Sequence, residues 1–96
     1  MKHVFHPLAV EELGAIVEFY ETRRTGLGLD FAQELYVAIA RIAAHPEAGF
    51  AISRRTRRGL VNRFPYGLIY QVQSGTLRII AVADLHRRPG YWRDRL

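Results

Sequence analysis

The chemistry-bearing residues of this chain crowd into its second half: Arg54, Arg55, Arg57, Arg58, Arg63, His86, Arg87, Arg88, Tyr91, Trp92, Arg93 and Arg95. An RNA-cleaving centre needs a base for a 2′-hydroxyl proton, an acid for the leaving oxygen, and cations around the phosphate. Histidine titrates near neutrality and arginine stabilises phosphorane charge. Tyrosine serves as a base only where neighbouring cations lower its pKa. The same residue types also build binding surfaces, because the arginine fork suits phosphate and carboxylate, and tryptophan anchors interfaces. Each has a plainer role as well. A histidine at a strand end pairs with a backbone carbonyl, Tyr91 and Trp92 close a core beneath the tail with polar tips outward, and the run Arg54 to Arg58 is a solvated loop.

The charge is unevenly placed. Residues 1–50 carry four basic and seven acidic side chains, whereas residues 51–96 carry ten arginines against Asp84 and Asp94. Thirteen of the fourteen cations are arginine, Lys2 being the exception. This footprint suits nucleic acid, an acidic protein partner, or both.

No cofactor or metal is expected. Gly26-Leu27-Gly28 lacks the third glycine and the preceding strand of a dinucleotide loop, and no GxxxxGK[ST] segment occurs. His3, His6, His45 and His86 are scattered, and with no cysteine there is neither a thiolate site nor a disulfide. No apolar run approaches the ~18–20 residues of a membrane span, and Met1 to Pro7 is not a signal peptide. A soluble cytoplasmic protein is expected. The 96 residues, 49% hydrophobic, fit a single domain over 1–96 with one core.

The elements that must position the cluster follow from periodicity. Lys2 to His6 reads as a short strand stopped by Pro7. Ala9, Leu13, Ile16, Val17 and Tyr20 then fall on one face of a helix from Leu8 to about Arg23. Arg24 to Gly28 breaks it, and Phe31, Leu35, Ala38, Ile39 and Ile42 stripe a second helix from about Leu29 to Ala44, ended by His45-Pro46. Residues 46–58 have turn composition. Strands are expected over Gly59–Phe64, Leu68–Gln73 and Thr76–Leu85, with Ser74-Gly75 as a hairpin link. The little-alternating run from Leu77 to Ala83 suits a central or doubly covered strand. The order strand-helix-helix-strand-strand-strand makes a two-layer α+β fold, a helix hairpin packed on a mostly antiparallel sheet.

Several segments, in this order, resemble the RelE/ParE superfamily of bacterial type II toxins, often labelled plasmid stabilisation proteins. They are His6-Pro7-Leu8-Ala9-Val10-Glu11-Glu12-Leu13, Gly28-Leu29-Asp30-Phe31, His45-Pro46-Glu47-Ala48-Gly49, Arg63-Phe64-Pro65-Tyr66-Gly67-Leu68-Ile69-Tyr70, and Ile79-Ile80-Ala81-Val82 leading to His86-Arg87-Arg88-Pro89-Gly90-Tyr91-Trp92. The resemblance implies a growth-inhibiting toxin neutralised by a co-expressed antitoxin that wraps over its helices and sheet. It leaves two mechanisms open, with an inactive, binding-only member as a third. RelE-like members cut mRNA in the ribosomal A site, and Arg63, Arg88 and Tyr91 match positions such enzymes use, with His86 a further candidate. ParE-like members poison DNA gyrase and need no acid–base set; Arg54, Arg55, Arg57, Arg58, Arg87, Trp92 and Arg95 are then binding residues. RelE-like sites commonly use lysine, and Lys2 is far from the cluster in sequence. Arginine is a poor proton donor because its pKa stays above ~12. The lysine deficit and the Phe-Pro-Tyr turn favour the ParE-like side. Arg63, Arg88, Tyr91 and Trp92 are expected to share one rim of the sheet.

Overall fold

His6 and Pro7 start the first helix together. The structure, a computed structural model, describes residues 1–96. The short strand β1 (Lys2–Phe5) ends at His6, whose Nδ1 accepts from the Leu8 amide at 3.1 Å, and Pro7 opens α1 (Pro7–Arg23). Proline at this position loses no helical hydrogen bond. The second helix, α2 (Leu27–Ala44), begins two residues before its periodic stripe suggests. Its free amide ends are met from the preceding helix: the Glu21 carboxylate accepts from Gly26 N and Gly28 N at 3.0–3.1 Å. A Cβ on Gly28 would sit 2.5 Å from the Val17 carbonyl oxygen, so the two helices approach too closely there for any side chain.

Four further strands follow: β2 (Phe50–Ala51), β3 (Arg57–Leu60), β4 (Tyr66–Gln73) and β5 (Thr76–Asp84). A 3₁₀ turn (Arg93–Arg95) ends the tail. The sheet order is β1-β5-β4-β3-β2, with β1 parallel to β5 and every other pairing antiparallel. Ser74 and Gly75, at φ 52° and 72°, make the tight turn between β4 and β5, a geometry whose twist matches the strands it joins.

The α+β, two-layer expectation holds, with five strands rather than four. Two details differ. The third strand is Arg57–Leu60, not Gly59–Phe64, because Asn62 to Phe64 turns away and packs Phe64 edge-on against Tyr20 and Phe31 at 4.9 and 5.1 Å. Within the segment read as turn, Phe50 and Ala51 pair with Arg58 and Arg57. Two residues give no periodicity to detect.

The main core lies between helices and sheet, where Phe31, Leu35, Ile39 and Ile42 meet Leu68, Tyr70, Leu77 and Ile79. The other face carries a smaller cluster of Ile69, Ile80, Ala81, Ala83 and Trp92. β5 is therefore covered on both faces and flanked by β1 and β4, as its unbroken apolar run implies. No helix is long and apolar enough to cross a membrane.

Candidate functional site

β5 delivers the chain to the tail at Asp84. The Asp84 carboxylate accepts from the His86 amide at 2.8 Å and its carbonyl from the Arg87 amide at 3.1 Å, folding the exit into a turn. The tail then returns across the sheet face opposite the helices and inserts Trp92, 3% exposed, into the small cluster. Between tail and sheet lies a cavity of about 310 Å³ lined by Arg58, Arg87, Arg88, Tyr91 and Trp92 together with Phe50 and Ile52. Two of its guanidinium groups lie over rings: Arg87 Cζ is 4.0 Å from the Tyr91 centroid and Arg58 Cζ 5.1 Å from that of Phe50. Arg58 Nε is buried without a hydrogen-bond partner. Gly67 leaves room for the Arg58 stem, since a Cβ there would meet Arg58 Cγ at 3.0 Å.

The tail is fastened by one carboxylate. β1 pairs with β5 only as far as Ile79, so the rest of that edge needs other partners. Glu12 of α1 supplies one by accepting from the Val82 amide at 3.0 Å, and Arg95 another by donating to the Ile80 carbonyl at 3.2 Å. Glu12 and Arg95 also bind each other through two parallel contacts of 2.9 and 3.0 Å, with side chains 17% and 9% exposed. The Tyr91 hydroxyl donates to the same carboxylate at 3.1 Å. Burial first, then the charge and hydrogen bond of Glu12, push Tyr91 up to about 12, outweighing the nearby Arg95 and Arg87. Its phenol is thus a fixed donor at neutral pH. The hydrogen bond to Glu12 likewise raises Arg95 above its ordinary value.

The remaining residues singled out in sequence are dispersed. Arg88 lines the tail cavity and is exposed. His86 projects into solvent, 81% exposed, with Nδ1 3.4 Å from the Asp84 carboxylate. Arg63 does not join them: at φ 73° it turns toward α2, its guanidinium 3.6 Å from Glu34 and 3.8 Å from Asp30. The shared rim of Arg63, Arg88 and Tyr91 is not formed, because the turn after β3 carries Arg63 to the helix layer. Trp92 is buried and Arg95 is neutralised by Glu12, so both hold the tail rather than present a surface. Arg54, Arg55 and Arg57 line a different concavity. In sequence Glu12 reads only as part of the segment that opens the first helix; its role in the tail is not visible there because its partners lie 70 to 83 residues away, and only the fold joins them.

Residues 4–89 match the family described as the ParE toxin of type II toxin-antitoxin system, parDE. The chain belongs to the ParE toxin family. A solved chain from the chromosomal ParDE TA system of P. aeruginosa has the same fold: it superposes with a TM-score of 0.77 at 18% identity, over 90% of this chain and 97% of that one. No curated protein matches the chain. As a ParE-family member the protein is a type II toxin, the toxin side of a toxin–antitoxin pair. In this chain the family match runs from Val4, within β1, to Pro89; it includes Glu12 and stops ahead of its tail partners Tyr91 and Arg95.

Proposed function

We propose that the protein is a gyrase-directed toxin of the cytoplasm: it inhibits DNA gyrase by binding, without cutting RNA, and a cognate antitoxin protein releases the inhibition. Membership of the ParE family supports the reading, and the state of Tyr91 carries it. A ribonuclease of this architecture would need a phenol or imidazole that exchanges protons beside clustered cations. Here the phenol is held protonated against Glu12, the imidazole stands in solvent beside Asp84, and Arg63 is engaged with α2. A binding inhibitor needs only a shaped, cationic surface, which Arg58, Arg87 and Arg88 offer around the tail cavity.

The test is a gyrase reaction on plasmid DNA. Purified protein is expected to block supercoiling and trap cleaved DNA, and prior mixing with the antitoxin is expected to prevent both. Intact gyrase activity together with mRNA cuts on translating ribosomes would assign the RelE-like mechanism instead. Intact activity in both assays would leave a binding-only member.

A further inference from the structure

A second arginine cluster lies at the end of the sheet marked by the Ser74-Gly75 turn, away from the tail cavity. Arg54, Arg55, Arg57 and Arg78, with Gln71 and Gln73, line an open concavity of about 680 Å³. Three features distinguish it from a merely solvated basic surface.

The first is uncompensated charge. The ion pairs of the molecule involve Arg24, Arg63, His86 and Arg95, and none involves these four arginines. Glu47 is the one acidic side chain in the lining. The second is fixed orientation by neutral acceptors. Arg78 Nη1 donates to Gln71 Oε1 at 2.9 Å and to Gln73 Oε1 at 3.4 Å, and Gln71 Nε2 in turn donates to the buried Thr56 hydroxyl at 3.0 Å. Arg57 Nη1 donates to the Gly49 carbonyl at 2.8 Å. Two guanidinium groups are thereby held in place with their full positive charge retained. A chain of side-chain hydrogen bonds running from Thr56 through Gln71 to Arg78 across three adjacent segments costs conformational entropy, which a solvated arginine has no need to spend. The third is the lining itself, polar and poor in apolar side chains. An acidic peptide gains affinity by seating apolar anchors as well as charge, and here only Pro46, Tyr70, Val72 and Leu96 could seat them, beside eight polar or charged side chains.

We propose that this concavity binds the phosphodiester backbone of nucleic acid without reading base sequence. Forked arginines with oriented N–H groups match successive phosphate oxygens, and phosphate contacts of this kind position a protein on a duplex. The site is separate from the tail cavity, so the proposal stands independently of the gyrase reading. On a target already engaged with DNA it would supply a second contact.

The experiment is fluorescence anisotropy of the full chain with a short labelled DNA duplex, over a salt series, with polyglutamate as an equally charged competitor. Micromolar binding is expected, with a log–log salt slope of about −3 to −4 for up to four phosphates. Arg78→Ala should flatten the slope by about one and weaken binding about five- to tenfold. Arg23→Ala, which removes the same charge from α1, should leave it nearly unchanged. Two charge-conserving variants give the sharper reading. Arg78→Lys keeps the charge but loses the fork, and Gln71→Ala keeps every charge but frees Arg78; both should weaken DNA binding, with thermal melting confirming that the fold persists. Loss in Arg23→Ala equal to that in Arg78→Ala, or no loss in Arg78→Lys and Gln71→Ala, would reduce the effect to bulk charge and overturn the proposal. Tighter binding of polyglutamate than of DNA would overturn it in favour of an acidic protein partner.

Discussion

The two ends of the sheet put the same residue type to opposite uses. At the tail end, Arg95 is 9% exposed, doubly bonded to Glu12, and caps a carbonyl on the open edge of β5. At the hairpin end, Arg57 and Arg78 are oriented by a carbonyl and by amide side chains, with no carboxylate partner. Ten arginines in the second half therefore do not form one functional surface. Some close the fold, some are free to bind, and what separates them is whether the elements bring a carboxylate within reach.

Variants at the tail end should produce the largest changes in stability and say little about function. Trp92→Ala empties the centre of the smaller cluster and should cost about 3–5 kcal/mol in urea unfolding, with toxicity falling only in proportion to the folded fraction. Toxicity lost in full from a variant of unchanged stability would make Trp92 a target contact instead. Next in size is Glu12→Ala, which strands a buried guanidinium, the Tyr91 hydroxyl and the Val82 amide; about 3 kcal/mol is expected. Pairing it with Arg95→Met should recover part of that loss, because the uncompensated charge is then gone. A smaller effect, about 1–3 kcal/mol, is expected for Gly28→Ala, where the new Cβ forces the helices apart against the Val17 carbonyl. Arg54→Ala and Arg55→Ala, at exposed and unpaired positions, should leave unfolding within about 0.5 kcal/mol of the parent.

Much of this fold was legible in the sequence, and the parts that were not share a physical cause. Both helices were readable within two residues, because their apolar stripes are long and Pro7 and His45-Pro46 punctuate them. β5 was readable because a strand covered on two faces must be apolar throughout. Tyr66 and Gly67 fall between the strands expected from sequence yet lie in β4, since Gly67 is needed where the Arg58 stem crosses, a requirement set by another strand. Phe64 read as strand but belongs to an aromatic cluster fixed by α1 and α2. The tail cavity was half legible: Arg87, Arg88, Tyr91 and Trp92 are consecutive enough to be grouped, whereas Arg58, Phe50 and Glu12 reach the tail only through the sheet and the helix. Arg63 was grouped with them by type, and a left-handed turn sends it elsewhere.

Tyr91 also sets a pH signature. Its folded pKa lies above its unfolded value of 10.0, so the hydroxyl contributes its full stability below pH 10 and loses it as the pH rises towards about 12. Tyr91→Phe should flatten the fall in stability across that window, and an unchanged alkaline unfolding profile would show the hydroxyl to be neither buried nor bound to Glu12.

The same substitution tests the central claim, that this toxin acts by binding and not by proton transfer. Growth arrest on induction of Tyr91→Phe would be measured beside its melting temperature. Loss of one hydrogen bond should cost about 1 kcal/mol, and the account predicts growth arrest as complete as that of the parent, with gyrase still inhibited. A variant that melts with the parent, binds the antitoxin and yet no longer arrests growth would contradict it and return Tyr91 to the role of a catalytic group.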